Sequence, residues 1–426
     1  MMQDTNTRRE FLATTAAGAA MLAAPALVRA QNLNSRILVA QIGAGSRGGG
    51  HLSVLRHLCE EEKYPLEIVA ACDVYRPRLE KRREQFNIPS GAMDYREILA
   101  MPGVDAVFIA TPDHHHGYQA MDAIAAGKDV YCEKPVTHWR QFELTKRLAD
   151  AVAASDRVFL LGTQAMSDPA WRRMKELVKE GVIGQPIFGE TGFFRIGDWG
   201  ERGMPVDDPD ARPGKDLDWI AFLGDAPKKP FSVDRFFRWR MFEDYAGGPS
   251  TDLYPHVLTQ VIDIMGVGMP EVVVGVGDIC RYNDELREVP DTFNLIAQYP
   301  EKASISVIGT QGNDYQAVGF RGSGQRAPVI RGWEGTLTVH PNNKEIVFTP
   351  LRVREAREPA RFPIDGAEDM TAYFRHFLDC CRTRQRETWS GMELAFRTQT
   401  VLQMAMLSWK RGRAVRFNAR RRRIVV

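Results

Sequence analysis

The stretch Arg36-Ile37-Leu38-Val39-Ala40-Gln41-Ile42 followed at once by Gly43-Ala44-Gly45-Ser46-Arg47-Gly48 constrains this chain more than any other. It reads as a buried strand running into a glycine-rich turn, and a helical stretch, roughly His51 to Glu62, comes next. Strand, GxGxxG turn and helix in that order form a dinucleotide fingerprint. The first glycine permits the tight turn, the second lets backbone approach a pyrophosphate, and the third allows close helix packing. Gly43, Ala44, Gly45, Ser46 and Arg47 are therefore cofactor-binding candidates.

The pattern then repeats as a doubly wound α/β unit. A second strand, Leu66 to Cys72, ends in Asp73, a carboxylate suited to the ribose hydroxyls of NAD. It lies further from the glycines than usual, which a longer helix and loop around Glu60 to Pro65 would accommodate. Arg76 and Arg78 follow closely, which leaves NADP open. A third strand, Val104 to Ala110, ends in Thr111-Pro112-Asp113-His114-His115-His116. Consecutive side chains diverge and no carboxylate or cysteine sits at ligand spacing, so no metal is expected. One or two of the histidines are read as lining a cleft, the rest as capping a helix from His115 to Gly127. A helix at Gln141 to Ala154 and a strand at Val158 to Gly162 complete the unit.

Between them lies Asp129-Val130-Tyr131-Cys132-Glu133-Lys134-Pro135. A strand of this kind ends in the crevice where open α/β sheets bind ligands. A partly desolvated amine at Lys134 can hold a substrate hydroxyl and help take its proton. A solvated lysine at a surface strand end would carry the same residues, and only the company of the other motifs favours the functional reading.

After Gly162 the chain changes character. A helix from Pro169 to Glu180 precedes strand-like runs at Ile187 to Ile196, Glu271 to Tyr282, Thr292 to Tyr299, Ala303 to Gly309, Gly335 to His340 and Glu345 to Thr349. Their alternation indicates a largely antiparallel sheet covered on one face. Helices at Ala367 to Thr383 and Met392 to Arg411 read as packing elements. The long stretch from Gly197 to Gly248 is too aromatic to be disordered. Most of its rings are expected to pack the loop, with Trp199, Arg238 and Tyr245 as substrate contacts. Beyond it, in Gly247-Gly248-Pro249-Ser250-Thr251-Asp252-Leu253-Tyr254-Pro255-His256, Asp252 and His256 are four apart and predicted to share a face at a helix mouth. The imidazole could accept a hydroxyl proton while the carboxylate orients it. A cap aspartate and an ordinary helix histidine would read alike.

Gly43-Ala44-Gly45, Ala110-Thr111-Pro112 with His116, Ala125-Ala126-Gly127-Lys128 and Glu133-Lys134-Pro135 together resemble the Gfo/Idh/MocA family of sugar and polyol oxidoreductases. The resemblance covers essentially the whole chain after its first thirty residues. It implies an N-terminal Rossmann domain, a C-terminal α/β domain with a large open sheet used in oligomer contacts, and NAD(P) as cofactor. It also implies cofactor contacts at Thr111, Pro112, His116, Glu133 and Lys134, and an active site joining Lys134 to Asp252 and His256. The family commonly has glycine where Tyr254 stands.

The first thirty residues set the address. Arg8-Arg9-Glu10-Phe11-Leu12, an alanine-rich apolar run and Val28-Arg29-Ala30 have the order of a twin-arginine export signal, with a domain division near 31–160, 161–410 and a basic tail, 411–426. Export through the twin-arginine machinery, with cofactor already loaded, predicts a periplasmic enzyme that holds and recycles its dinucleotide. No later run is long enough to span a membrane. With 56 basic and 54 acidic residues, no bulk charge favours nucleic acid, and the arginines of the tail are read as a solvated extension. The six cysteines show no framework spacing; Cys72 and Cys132 read as core residues. The expectation is an oxidoreductase acting on a hydroxyl of a sugar, polyol or glycoside. A redox-neutral glycoside hydrolase using transient oxidation, and a non-enzymatic sugar or cofactor sensor, are the alternatives.

Overall fold

The computed structural model of the protein describes residues 36–426 apart from 199, 284, 317, 318, 320, 322–324 and 354–356. The stretch read as an export signal and Trp199 lie outside the described residues. Six parallel strands open the chain: β1 (Ile37–Ile42), β2 (Leu66–Cys72), β3 (Ser90–Ala92), β4 (Ala106–Ile109), β5 (Asp129–Glu133) and β6 (Phe159–Gly162), in the order β3-β2-β1-β4-β5-β6. The order reverses between β1 and β4, which puts a crevice at their C-terminal ends. Helices α1 (Ser46–Glu60), α2 (Arg76–Phe86), α3 (Tyr95–Leu99), α4 (Asp113–Ala125) and α5 (Phe142–Ala154) connect them. β4 and β5 are buried along their whole length, as strands covered on both faces must be.

Two helix starts differ from expectation. α1 begins at Ser46, because Gly48 to Gly50 carry no apolar signal although they are helical. α4 begins at Asp113, with Pro112 in the capping position. The α2 helix, RPRLEKRREQF, buries only Leu79 and Phe86, an apolar stripe too thin to read from periodicity.

The second half comprises α6 (Pro169–Lys179), β7 (Pro186–Ile196), α7 (Trp219–Leu223), α8 (Val233–Phe237), α9 (Pro249–Asp252), α10 (Tyr254–Met265), β8 (Val272–Asp278), β9 (Thr292–Tyr299), β10 (Ala303–Thr310), β11 (Gly312–Asn313), β12 (Gln325–Gly332), β13 (Gly335–Val339), β14 (Glu345–Pro350), β15 (Ala360–Pro363), α11 (Met370–Thr383), α12 (Met392–Arg411), β16 (Val415–Asn418) and β17 (Arg423–Val425). Its strands form an eleven-stranded sheet in which only β7 and β10 run parallel. β9 and β10 alternate buried and less buried residues, so one face meets the core and the other stays open. α10 and α12 cover the inner face. Among the described residues no helix is long and apolar enough to cross a membrane.

The basic tail is not a solvated extension. Val415 and Phe417 are buried, β16 pairs with β8, and β17 pairs with β16. Alternating apolar residues between the arginines carry the strand, and Arg422 reaches Asp150 at 2.8 Å.

One hydrophobic core crosses both halves. Phe374 and Phe377 of α11 lie on Phe108 and Tyr131 of the parallel sheet, with Phe108 and Phe374 ring centroids 5.0 Å apart. The long aromatic stretch forms its own cluster, in which Trp219, Phe222, Phe236, Phe237 and Tyr245 pack together with Tyr75 of the Rossmann half. Cys72 and Cys132 are buried, and all six cysteines are free thiols.

Candidate active site

Gly43 closes β1 with φ +88°, and a Cβ there would stand 2.6 Å from the Ala110 carbonyl oxygen. Only glycine fits that crossing. A Cβ on Gly48 would stand 1.9 Å from the Gly43 carbonyl oxygen, so the helix is held tight against the turn. Gly45 caps α1, and Ser46 and Arg47 are its first residues. This helix N-terminus, its N–H groups turned to the crevice, suits an anionic pyrophosphate. The Ala44 N–H donates to Asp73 Oδ2 at 2.8 Å, and the Tyr75 N–H to Oδ1 at 2.9 Å. Burial pushes the Asp73 carboxyl up despite the nearby Arg78 guanidinium.

These residues line a single cleft of about 1130 Å³. From the predicted cofactor set, Gly43, Gly45, Ser46, Arg47 and Asp73 line its first wall. Thr111, Pro112, His116, Glu133 and Lys134 line the next. Ala44 lies buried behind the wall and contributes through its backbone.

At the end of β5, Glu133 Oε1 accepts from Arg47 Nε at 2.6 Å and contacts His51 Nε2 at 3.0 Å. Burial alone would raise this carboxyl. Arg47 and His51 outweigh it and hold the group far below the usual carboxylate range. His116 sits between the carbonyls of Pro135 (2.6 Å) and Thr111 (2.8 Å), joining the ends of β4 and β5, and burial lowers it to about 4. His114 and His115 both direct Nε2 at the Phe222 carbonyl. Among the described residues no group of three or more His, Cys, Asp or Glu side chains is placed to hold a metal.

Lys134, which precedes a cis peptide at Pro135, donates from Nζ to Asp252 Oδ1 at 2.7 Å and to the Asp252 carbonyl. Arg240 Nε donates to the same Oδ1 at 3.2 Å. Burial works against the Asp252 carboxylate, but Lys134, Arg240 and Arg195 drive its pKa strongly down. His256 lines the same cleft. Its Nδ1 is buried and has no hydrogen-bond partner. Burial, reinforced by the Lys134 charge, lowers this imidazole to about 3, so it is neutral at pH 7.

The expected Asp252–His256 pairing needs correction. Leu253, still in the αR region, interrupts the helix and separates α9 from α10, and Asp252 is held by Lys134 and Arg240 instead. Nor does Asp252 cap a helix: Gly248 is the cap residue of α9, with Pro249 in its first turn. Tyr254 leaves the cleft open. It is fully buried, and its hydroxyl donates to the Phe293 carbonyl in the sheet.

Two substrate candidates also fail. Arg238 bonds Asp234 Oδ1 at 2.9 Å and the Met204 carbonyl at 3.4 Å, and lies outside the cleft lining. Tyr245 is wholly buried between His114 and Phe222. Trp239 and Arg240 take that place, the guanidinium lying 4.2 Å from the indole centroid. Residues two apart in a 3₁₀ turn such as Trp239–Met241 point to different sides, which puts Arg240 in the cleft and Arg238 out of it. Arg195, near the end of β7, and Gln325, opening β12, also reach the cleft. A strand position carries no local motif that would have marked them. Asp113 lies behind the wall, accepts from Thr251 Oγ1 at 3.1 Å, and is pushed up to about 7 by burial.

Residues 37–163 match the family model described as an oxidoreductase family, NAD-binding Rossmann fold. Residues 225–417 match the companion model for its C-terminal alpha/beta domain. The chain is 32% identical over 129 residues to scyllo-inositol 2-dehydrogenase (NAD(+)) of Bacillus subtilis, covering 30% of this chain and 37% of that one. It is 32% identical over 135 residues to levoglucosan dehydrogenase of Pseudarthrobacter phenanthrenivorans, covering 32% of this chain and 31% of the relative. The chain thus spans well under half the length of these curated relatives. A solved levoglucosan dehydrogenase in complex with NADH superposes with TM-score 0.67 at 18% identity, over 90% of this chain and 99% of that one, which shows a shared fold.

Proposed function

The chain belongs to the Gfo/Idh/MocA family of oxidoreductases, its NAD-binding Rossmann domain followed by the family's C-terminal α/β domain, and from that premise we propose that it oxidises a hydroxyl of a sugar, polyol or glycoside. The observation that carries this reading is the buried, unpartnered Nδ1 of neutral His256 in the same cleft as Lys134. An orphaned polar atom inside a cleft costs free energy unless a ligand answers it.

The residues fit a nicotinamide dinucleotide: a glycine crossing that no side chain could share, a helix N-terminus for the pyrophosphate, and a carboxylate at the end of β2. Arg78 is tied to Asp207 at 2.7 Å, which favours NAD over NADP by removing a cation from service to a 2′-phosphate. Bound there, the nicotinamide supplies a hydride acceptor. Lys134 has a third N–H beyond the two on Asp252, and it holds the substrate oxygen and stabilises its developing charge. His256 takes the hydroxyl proton as the carbonyl forms. Asp252, with Arg240 beside it, fixes Lys134. The indole of Trp239 gives a flat face for a sugar ring.

The twin-arginine segment supports export to the periplasm with cofactor on board, and a tightly held, recycled dinucleotide follows from the lack of a soluble pool there. The open sheet face, with Val274, Val276 and Ile296 exposed, supports assembly with further copies of the chain. To test the reading, protein purified after native export is stripped of bound nicotinamide for identification. A second sample is followed by nicotinamide absorbance with a panel of sugars, polyols and glycosides. Reduction by one sugar and reoxidation by a carbonyl compound is the expected result. Glycoside cleavage with no net reduction would replace this activity with hydrolysis.

A further inference from the structure

The dinucleotide cleft has a wall that the Rossmann half does not supply. Residues 204–225 come from the long stretch after β7, yet they are tied to both sides of the crevice. On the β2 side, Arg78 Nε and Nη2 donate to Asp207 Oδ2 at 2.9 and 2.7 Å. The Arg76 N–H donates to the Asp216 carbonyl at 2.8 Å, and the Asp218 N–H to the Val74 carbonyl at 2.9 Å. Leu217 pairs with Tyr75 as an isolated bridge and packs beside it. On the β4 side, His114 and His115 hold the Phe222 carbonyl at 2.8 and 2.6 Å. Gly224 lies so close to His115 that a Cβ would stand 2.8 Å from its ring.

Strand β1, with its glycine turn, lies between β2 and β4 in the sheet. A segment anchored at the end of β2 and at the start of α4 therefore passes over that turn. Ile220 and Ala221, at its middle, line the same cleft as Gly43, Gly45, Met93 and Tyr95. Ile220 is 70% exposed, and apolar surface on a cleft wall is what a bound planar base covers.

We propose that residues 204–225 form the outer wall of the cofactor site, cover the adenosine half of the dinucleotide and hold it as a resident group. The proposal rests on the NAD reading above. Release then requires the anchors to open, so the dissociation rate reports them directly.

The test loads the full-length protein with NADH, chases it with excess NAD, and follows loss of nicotinamide fluorescence. The parent should release NADH over minutes or longer. Asp207→Ala and His115→Ala should each speed release at least tenfold. A second measurement needs no substitution: trypsin should cut after the exposed Lys215 more slowly when NADH is bound, and the nicked protein should release cofactor faster. Release from the parent within seconds, or variants and nicked protein within twofold of it, would overturn the proposal while leaving NAD binding intact. No binding of NADH at all would overturn both.

Discussion

Glu133 and Lys134 are neighbours in sequence, yet they face opposite kinds of surroundings. Glu133 meets Arg47 and His51, so that one cation and one imidazole answer one carboxylate oxygen. Lys134 shares Asp252 Oδ1 with Arg240, and His256 beside them keeps a ring nitrogen without a partner. The first corner braces the strand end; its His51 also keeps a buried Nδ1 without a partner, but that ring lies off the cleft lining. In the second, two cations converge on one carboxylate oxygen, and spare hydrogen-bonding capacity faces the cleft. A strand end can thus supply structure and chemistry from consecutive residues, because successive side chains leave the sheet on opposite faces.

Substitutions test whether the two corners are separable. Lys134→Met should reduce turnover by about 10³-fold, since it removes the donor to the reacting oxygen. Thermal melting should show the protein still folded, with Arg240 left to hold Asp252. His256→Asn should lower the rate by about 10²-fold with little change in KM, as loss of a proton acceptor does; single-turnover nicotinamide absorbance reads it. Glu133→Gln should instead cost about 2 kcal/mol in urea denaturation while leaving kcat within tenfold. That cost lies below the range for a fully buried pair because the Arg47 side chain is 35% exposed. If Glu133→Gln abolished turnover as Lys134→Met does, the corners would be one catalytic unit.

A pH titration sharpens the comparison further. Burial lowers His51, His114, His115, His116, His138, His256 and His376. Each has a folded pKa below its unfolded value, so its contribution is present above about pH 6.5 and is lost as pH falls. The loss runs down toward about 4 for His116 and His376, and about 3 for His138 and His256. Each imidazole adds a slope of at most about 1.4 kcal/mol per pH unit. Urea midpoints measured between pH 7 and 5 should fall steeply, and His256→Asn should flatten that fall by roughly one proton.

The Rossmann half was legible because its signals are local. β2 spans Leu66–Cys72 as read, and the glycine spacing forecast the contact between Gly48 and Gly43. Lys134, Asp252 and His256 were found because each sits in a short motif, and the cleft brings all three together. What stayed hidden depends on distant partners. Arg240 and Arg238 have the same chemistry in sequence, and only the 3₁₀ turn decides which reaches the cleft. β16 was read as part of a tail because arginines crowd the stretch around it, at Arg411, Arg413, Arg416 and Arg420 to Arg423; the waiting edge of β8, some 140 residues earlier, makes it a strand. Asp252 was assigned to the nearer histidine, but a lysine 118 residues away holds it.

The rings of Phe374 and Phe377 on Phe108 and Tyr131 also set an order for synthesis. A nascent chain that has produced the whole parallel sheet still has one side of it bare, and the cover is translated more than 200 residues later. β16, which pairs with β8, follows it by some 140 residues. The aromatic face of the young sheet therefore stays exposed until α11 has been made, and needs shelter in the meantime.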